Sequence, residues 1–271
     1  MKRIFVILSI VLIASAHGQS QVTSNKLAPL RLKESAFQSG EWFQFRIHYG
    51  IFNASYATLE VKEKNLDGKD VFHVKGYGRT TGLARLFFRV EDHYESYFDK
   101  ATGRPYKFVR NIDEGGYTKD IEINFDQSTN TAHVNDKKHK QKTSHAVGRD
   151  VQDLLSAFYY LRNNYDISDI KVGESIELDM FFDKETFKFK LKYLGKETIR
   201  TKFGKVESLK FRPYVQAGRV FKEQESLTLW VSNDKNKIPL RIKADIAVGS
   251  IKADLNAFKG LKHSFKIKVK K

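Results

Sequence analysis

Gly40-Glu41-Trp42-Phe43-Gln44-Phe45-Arg46-Ile47-His48-Tyr49-Gly50 alternates apolar and polar residues between two glycines. A period of two predicts a β-strand with one buried face. Gly173-Glu174 opens a second run in the same phase, with Ile176, Leu178 and Met180, 133 residues further on. The strand and turn around Tyr97, Phe98 and Pro105 recur around Trp230, Val231 and Pro239, and Gly116 recurs as Gly249, at offsets of 133, 134 and 133. Gly68-Lys69 recurs as Gly204-Lys205 at 136, as a small insertion allows. Four anchors in order at a nearly constant offset point to an internal duplication.

Outward from these anchors the period of two persists. Strands are expected over residues 41 to 50, 55 to 64, 70 to 78, 92 to 99, 105 to 113 and 117 to 125, with one or two weaker ones before 145. In the second half they are expected at 174 to 182, 186 to 194, 197 to 202, 205 to 212, 224 to 231, 239 to 247 and 250 to 257, with a last one at 263 to 270. Glu114-Gly115-Gly116 suits a tight hairpin, and 21 Phe and 12 Tyr fit half-buried pleated surfaces. Val151, Leu154, Leu155, Phe158 and Leu161 instead recur at helical spacing, with Asp150 placed to cap the first turn. A shorter helical spacing, Leu83, Leu86, Phe87 and Val90, reads as a short helix or ordered loop, with a counterpart at about 213 to 221.

The expected fold is therefore all-β: an antiparallel barrel or strongly curved half-barrel sheets built from two similar halves, with one connecting α-helix. The expected layout is a signal peptide over 1–18, an N-terminal arm over 19–36, a first β-rich half over 37–145, the connecting helix over 146–168 and a second half over 169–271. A helix that plugs a barrel mouth would mark a ligand cavity.

Met1-Lys2-Arg3, the apolar run Ile4 to Ala14 and the small residues Ala16 and Gly18 have the form of a secretory signal, with cleavage before Gln19 or after Ala16. The apolar run is shorter than the roughly 20 residues of a membrane span. With no cysteine, the chain lacks disulfides and a lipid-bearing N-terminal Cys. The expected address is outside the cytoplasm: periplasm first, secreted or peripheral on the envelope as alternatives. No transmembrane span is expected in the mature chain.

The net charge of +16 favours anionic partners such as phosphorylated glycolipid, acidic polysaccharide or an anionic membrane. Yet Lys188, Lys190 and Lys192 alternate with Phe187, Phe189 and Leu191, which is the wet face of an antiparallel strand. Export and this dispersal argue against nucleic acid.

Gly40-Glu41 with Phe43, Phe45, Ile47 and Tyr49-Gly50, the stretch from Gly148-Arg149-Asp150-Val151 to Phe158-Tyr159-Tyr160-Leu161-Arg162, and Leu229-Trp230-Val231-Ser232 with Pro239-Leu240 together resemble an exported bacterial family designated domain of unknown function 3108. The resemblance runs from about Phe37 to Phe258. It implies a Gram-negative envelope protein with a β-rich, barrel-like fold, and it brings no established activity. The pattern from Trp230 to Pro239 is also similar to periplasmic lipoprotein carriers, whose curved sheet and helical plug hold acyl chains.

The common nucleophile, zinc and nucleotide motifs are absent, so no catalytic residue, metal or cofactor is expected. His48, His73 and His93 lie on separate strands, where structural roles are commoner than a metal site. Asp113, Glu114, Asp120 and Glu122 flank the Gly-Gly turn and are the carboxylates a glycoside hydrolase would need, although turns attract acidic residues anyway. The better candidates are two loops at equivalent places. One carries Arg79, Arg85 and Arg89 beside Leu83, Leu86 and Phe87; the other carries Arg212 and Arg219 beside Tyr214, Val220 and Phe221. Arginine forks suit phosphate or carboxylate, and their apolar neighbours suit acyl chains or sugar faces. The expected function is a non-enzymatic periplasmic module that binds a lipid, glycolipid or polysaccharide. An envelope scaffold that holds other proteins, and a hydrolase of envelope carbohydrate or lipid, are the alternatives.

Overall fold

A computed structural model describes residues 24–25, 35–82, 85, 89–164, 170–216 and 227–267. The first strands are β1 (Ser24–Asn25), β2 (Trp42–Tyr49), β3 (Phe52–Leu66), β4 (Lys69–Thr80), β5 (Val90–Asp99), β6 (Pro105–Glu114), β7 (Tyr117–Asp126), β8 (Thr131–Asp136) and β9 (Gln141–Ala146). Helix α1 (Leu154–Asn164) follows, then β10 (Ser175–Phe182), β11 (Glu185–Thr201), β12 (Gly204–Gln216), β13 (Leu227–Ser232), β14 (Pro239–Asp245) and β15 (Ser250–Lys259). They form one all-β sheet in the order β1-β10-β11-β12-β13-β14-β15-β2-β3-β4-β5-β6-β7-β8-β9. Every pair is antiparallel except the short β1 to β10 contact.

Two six-strand meanders, β10–β15 and β2–β7, lie side by side and join through the β15 to β2 ladder. Their details correspond. Gly40 and Gly173 both have positive φ, 88° and 98°. The Gly40 amide donates to the Val61 carbonyl and Val61 returns a bond to Glu41, while Gly173 and Glu174 make the same exchange with Tyr193. The β5–β6 ladder shifts register at Tyr97/Phe98 with Phe98 opposite Pro105, and β13–β14 shifts at Trp230/Val231 with Val231 opposite Pro239. A proline cannot donate to a ladder, so it sits at a strand start beside the irregularity in both. β8, β9 and α1 have no counterpart after β15 among the described residues.

The sheet curls but does not close. Between the edge strand β9 and β10, which β1 covers only at Ser175 and Ile176, the gap is bridged by side chains and by the segment before the helix. Gln152 pairs with Met180 of β10, and the rings of His145 and Phe181 meet at 5.6 Å. Across the interior, Phe108 and Phe125 face Phe182 and Phe181. One buried cluster surrounds α1, β4 to β8 and β10 to β12, and another is built on β2, β3 and β13 to β15. The interior is therefore packed with side chains: two cavities lined by described residues are small, while a larger pocket of about 520 Å³ between Lys69, Tyr106, Asn124, Gln127 and His133 is open to solvent. One near Phe37, Phe72, Phe98 and Tyr159 holds about 20 Å³, and one near Pro105, Phe125 and Val151 about 10 Å³.

Four local expectations need correction. The strands expected at 186 to 194 and 197 to 202 are one strand, β11, which ends at Thr201, because a register shift at Tyr193/Gly195 absorbs the break in pattern. Residues 213 to 216 continue β12 as strand, and 217 to 221 lie outside the described residues. Residues 263–267 form no strand, although their residues alternate: Asn236 binds the backbone at His263, and Phe265 packs edge-on to Phe203 and Phe258. Asp153, rather than Asp150, caps α1, its carboxylate accepting from the Leu155 and Ser156 amides at 2.8 Å. The β-bridge at Gln152 holds the chain extended until then.

α1 is fixed by Arg162 in its last turn. The guanidinium donates to both carboxylate oxygens of Glu41 at 2.6 and 2.7 Å and to the Asn236 carbonyl at 2.9 and 3.1 Å. Phe37, Phe43, Phe158 and Tyr159 surround it with ring centroids 5.3–5.5 Å away. Both charged groups are buried. Removing one partner strands the other charge, so Glu41→Gln and Arg162→Met should each lower unfolding free energy by about 3–5 kcal/mol. Guanidinium unfolding checks this, with the double variant Glu41→Leu/Arg162→Met recovering a large part of the loss.

Candidate functional site

An antiparallel meander puts alternate turns at opposite ends. The β3–β4, β5–β6, β11–β12 and β13–β14 turns share one end with Glu41 and α1. There Tyr159 packs on Phe37 and Phe98, Gly103 of the β5–β6 turn approaches Tyr160, and Arg162 holds Asn236 of the β13–β14 turn. The helix blocks this end. At the far end lie the β2–β3, β6–β7, β10–β11 and β14–β15 turns, with Arg79 at the end of β4 and Arg89 before β5.

Just inside the far end is a buried polar cluster. Asp92 of β5 and Glu114 of β6 both point inward and hydrogen-bond to each other. Burial and then the Glu114 carboxyl push the Asp92 pKa up to about 8, with Arg110 opposing. The Asp92 carboxyl therefore keeps its proton in this contact. Arg110 donates to Asp183 in the β10–β11 turn at 2.8 Å, its plane 4.6 Å from the Phe182 ring, and Lys119 reaches the other Asp183 oxygen at 2.6 Å. This network ties β6 and β7 to the opposite edge of the curled sheet.

The far end also carries most of the exposed large apolar side chains among the described residues: Tyr49, Ile51, Phe52, Tyr117, Ile246 and Val248, whereas Val172 and Ile267 lie elsewhere. Scattered exposed apolar residues are ordinary; a cluster of them on turn tips marks an interaction surface.

Of the sequence-predicted site residues, Arg79 is exposed on the outer face of β4, and Arg212 is half-buried on the outer face of β12 opposite Lys192. Arg85 is exposed in the β4–β5 connection, and Arg89 is exposed and pairs with Glu91 at 3.0 Å. Leu83, Leu86, Phe87, Arg219 and Phe221 lie outside the described residues. The described arginines share an end of the molecule, but none points into its interior.

The three strand histidines take separate partners. His48 lies between the Gly50 carbonyl and Asp254, His73 contacts Glu95 at 2.6 Å and stacks on Tyr97, and His93 tilts against Tyr77. The acidic residues of the Gly-Gly hairpin also separate. Asp113 accepts from the Gly116 amide, and Glu122 faces outward between Lys107 and Lys137, whose hydrogen bonds outweigh burial and hold its pKa down to about 2. Only Glu114 enters the interior. Sequence reasoning missed Asp92, yet it stands in phase with Val90, Tyr94 and Phe98 on the buried face, and that phase is the readable signal.

With this geometry established, comparison with known proteins gives a family and a fold. A family model described as "Protein of unknown function (DUF3108)" matches residues 44–256, so the chain belongs to that family. No curated protein matches it in sequence. The crystal structure of a beta-barrel-like protein of domain of unknown function DUF1849 from Brucella abortus is similar over 84% of this chain and 100% of that one, with 7% identity and a TM-score of 0.52. A DUF1089 family protein from Pseudomonas aeruginosa aligns over 80% of this chain and 97% of that one at 11% identity, with a TM-score of 0.31. The first likeness shows a shared barrel-like fold; the second is too remote to carry an argument.

The Asp92 proton predicts a pH dependence. Folded Asp92 holds its proton to about pH 8, whereas its ordinary value is 3.8. The folded state therefore binds more protons in between, and stability from this group falls as pH rises from 3.8 to 8. Asp153, pushed up to about 6 by burial, acts in the same direction over the lower part of that range. Asp92→Asn should raise Tm at pH 8.5 by at least about 3 °C, roughly 1 kcal/mol at this length, and change it little at pH 4.5. Thermal scans at both values check this; an equal change at both contradicts the raised Asp92 pKa.

Proposed function

We propose that this member of the DUF3108 family is a non-enzymatic binding module of the bacterial envelope whose ligand is an amphipathic, anionic component, a lipid or glycolipid. The observation that carries this reading is the asymmetry of the two ends. α1 and the Glu41–Arg162 pair block one, while the other gathers exposed apolar turn tips and the exposed arginines Arg79, Arg85 and Arg89. Apolar tips suit acyl chains, and arginines suit phosphate or carboxylate. Binding belongs at this rim, because aromatic and aliphatic side chains fill the described interior. The periplasm is the proposed location, on the strength of the signal-like N-terminus.

The hydrolase alternative has less support. Glycosidase carboxyls stand about 5–5.5 or 6.5–9.5 Å apart to admit sugar or water, whereas Asp92 and Glu114 touch each other and are buried. A scaffold that holds other envelope proteins is the second reading, favoured by the filled interior.

Purification from the producing envelope under mild conditions, followed by extraction and mass spectrometry, tests the proposal. An anionic lipid or glycolipid should copurify in near-stoichiometric amount. Its absence, with a protein partner captured by crosslinking instead, would favour the scaffold.

A further inference from the structure

We propose that the adjoining β2–β3 and β14–β15 hairpins seat the protein on an anionic lipid bilayer, with their tips in the interfacial layer. This rests on reading the far end as the lipid-facing one and names the surface it faces. Because β15 pairs with β2, the two turns are neighbours, and the Tyr49 hydroxyl donates to the Val248 carbonyl at 3.0 Å, tying one tip to the other. The ring of Tyr49 lies over Gly249, where a Cβ would stand 3.0 Å from its hydroxyl. Turn tips ordinarily carry Gly, Asn, Asp, Ser or Pro. Here Ile51 is 88% exposed, Phe52 70% and Val248 74%, with Tyr49 and Ile246 beside them.

Behind the tips the outer face of the same strands is cationic. Strand register places Lys243, Lys252 and His48 in one row across β14, β15 and β2. The next row runs Arg241, Asp254, Arg46, Tyr56 and Arg79 across β14, β15, β2, β3 and β4. Five Lys or Arg face two carboxylates: Asp245, held by Lys243, and Asp254, held by Arg241 and His48. Rows two residues apart are separated by about 6.8 Å. Tips inserted about 5–10 Å therefore bring the first row to the level of the headgroups, within the roughly 10 Å reach of screened charge.

Apolar points ahead of a basic belt match a negatively charged bilayer. A second copy of this chain is a poor match. The net charge of +16 repels it, and two turn tips fall far short of the roughly 800 Å² per partner that a stable interface buries.

Cosedimentation of the chain, as purified from the cells that make it, with vesicles tests the proposal. One set is phosphatidylglycerol mixed with phosphatidylcholine, the other phosphatidylcholine alone. The wild type should prefer the anionic vesicles and release them at high salt. Ile51→Ser/Phe52→Ser/Val248→Ser should weaken that binding at least about tenfold with Tm unchanged, and Lys243→Glu/Lys252→Glu should abolish the anionic preference. Docking is overturned if the wild type ignores the anionic vesicles, if the tip variant binds like the wild type, or if the tips serve only self-association that the variant removes. A copurifying lipid without vesicle binding would keep the binding module and remove the docking. Vesicle binding without a copurifying lipid would do the reverse.

Discussion

The bidentate contact between Glu41 and Arg162 decides how this sheet is used. A carboxylate and a guanidinium taken out of water lose several kcal/mol of hydration each, so burying both requires dense compensation. Two short charge-assisted bonds, the Asn236 carbonyl and four aromatic rings supply it. The observed placement of α1 satisfies the guanidinium. That placement joins the chain before β2, the β13–β14 turn and the helix into one block, and so determines which end of the curled sheet is filled.

Two corresponding meanders supply the frame, and departures from their likeness give the molecule polarity. Glu41 and Glu174 occupy equivalent turns with the same backbone exchange. Glu41 turns its side chain to Arg162, whereas Glu174 accepts from the Lys171 amide in its own turn. Two matching meanders give a nearly symmetric sheet. One helix recruited by one of the two glutamates makes its ends different.

Much of the frame was legible because each signal was local. Alternation placed the strands, and Gly68, Gly116, Gly204 and Gly249 marked turns by their need for positive φ. Pro105 and Pro239 marked strand starts. Signals that depend on distant partners were not legible. Nothing near Glu41 announces Arg162, 121 residues away, and Asp150 competes with Asp153 as a cap until Gln152 is seen pairing with β10. The alternation at 263–267 was misleading because Asn236 and the rings of Phe203 and Phe258 claim that segment. At the site, the arginine loops were found by composition. The apolar tips Ile51, Phe52 and Val248 are plain in the sequence but acquire meaning only when β15 pairs with β2 and sets their turns together.

Asp92 and Glu114 illustrate a further division of labour. Polar groups in the far-end interior are held by contact between the two carboxyls and by the Arg110–Asp183–Lys119 network, although Asp92 Oδ1 and Arg110 Nε find no partner among the described residues, so this end is held by charge rather than by a helix. Hydrogen–deuterium exchange, with and without phosphatidylglycerol vesicles, tests the claim that the two ends differ in role most directly. Protection should appear at residues 49–52 and 246–250, with α1 and the β5–β6 turn unchanged. Protection at α1 and the β5–β6 turn, with none at the two hairpins, would contradict it.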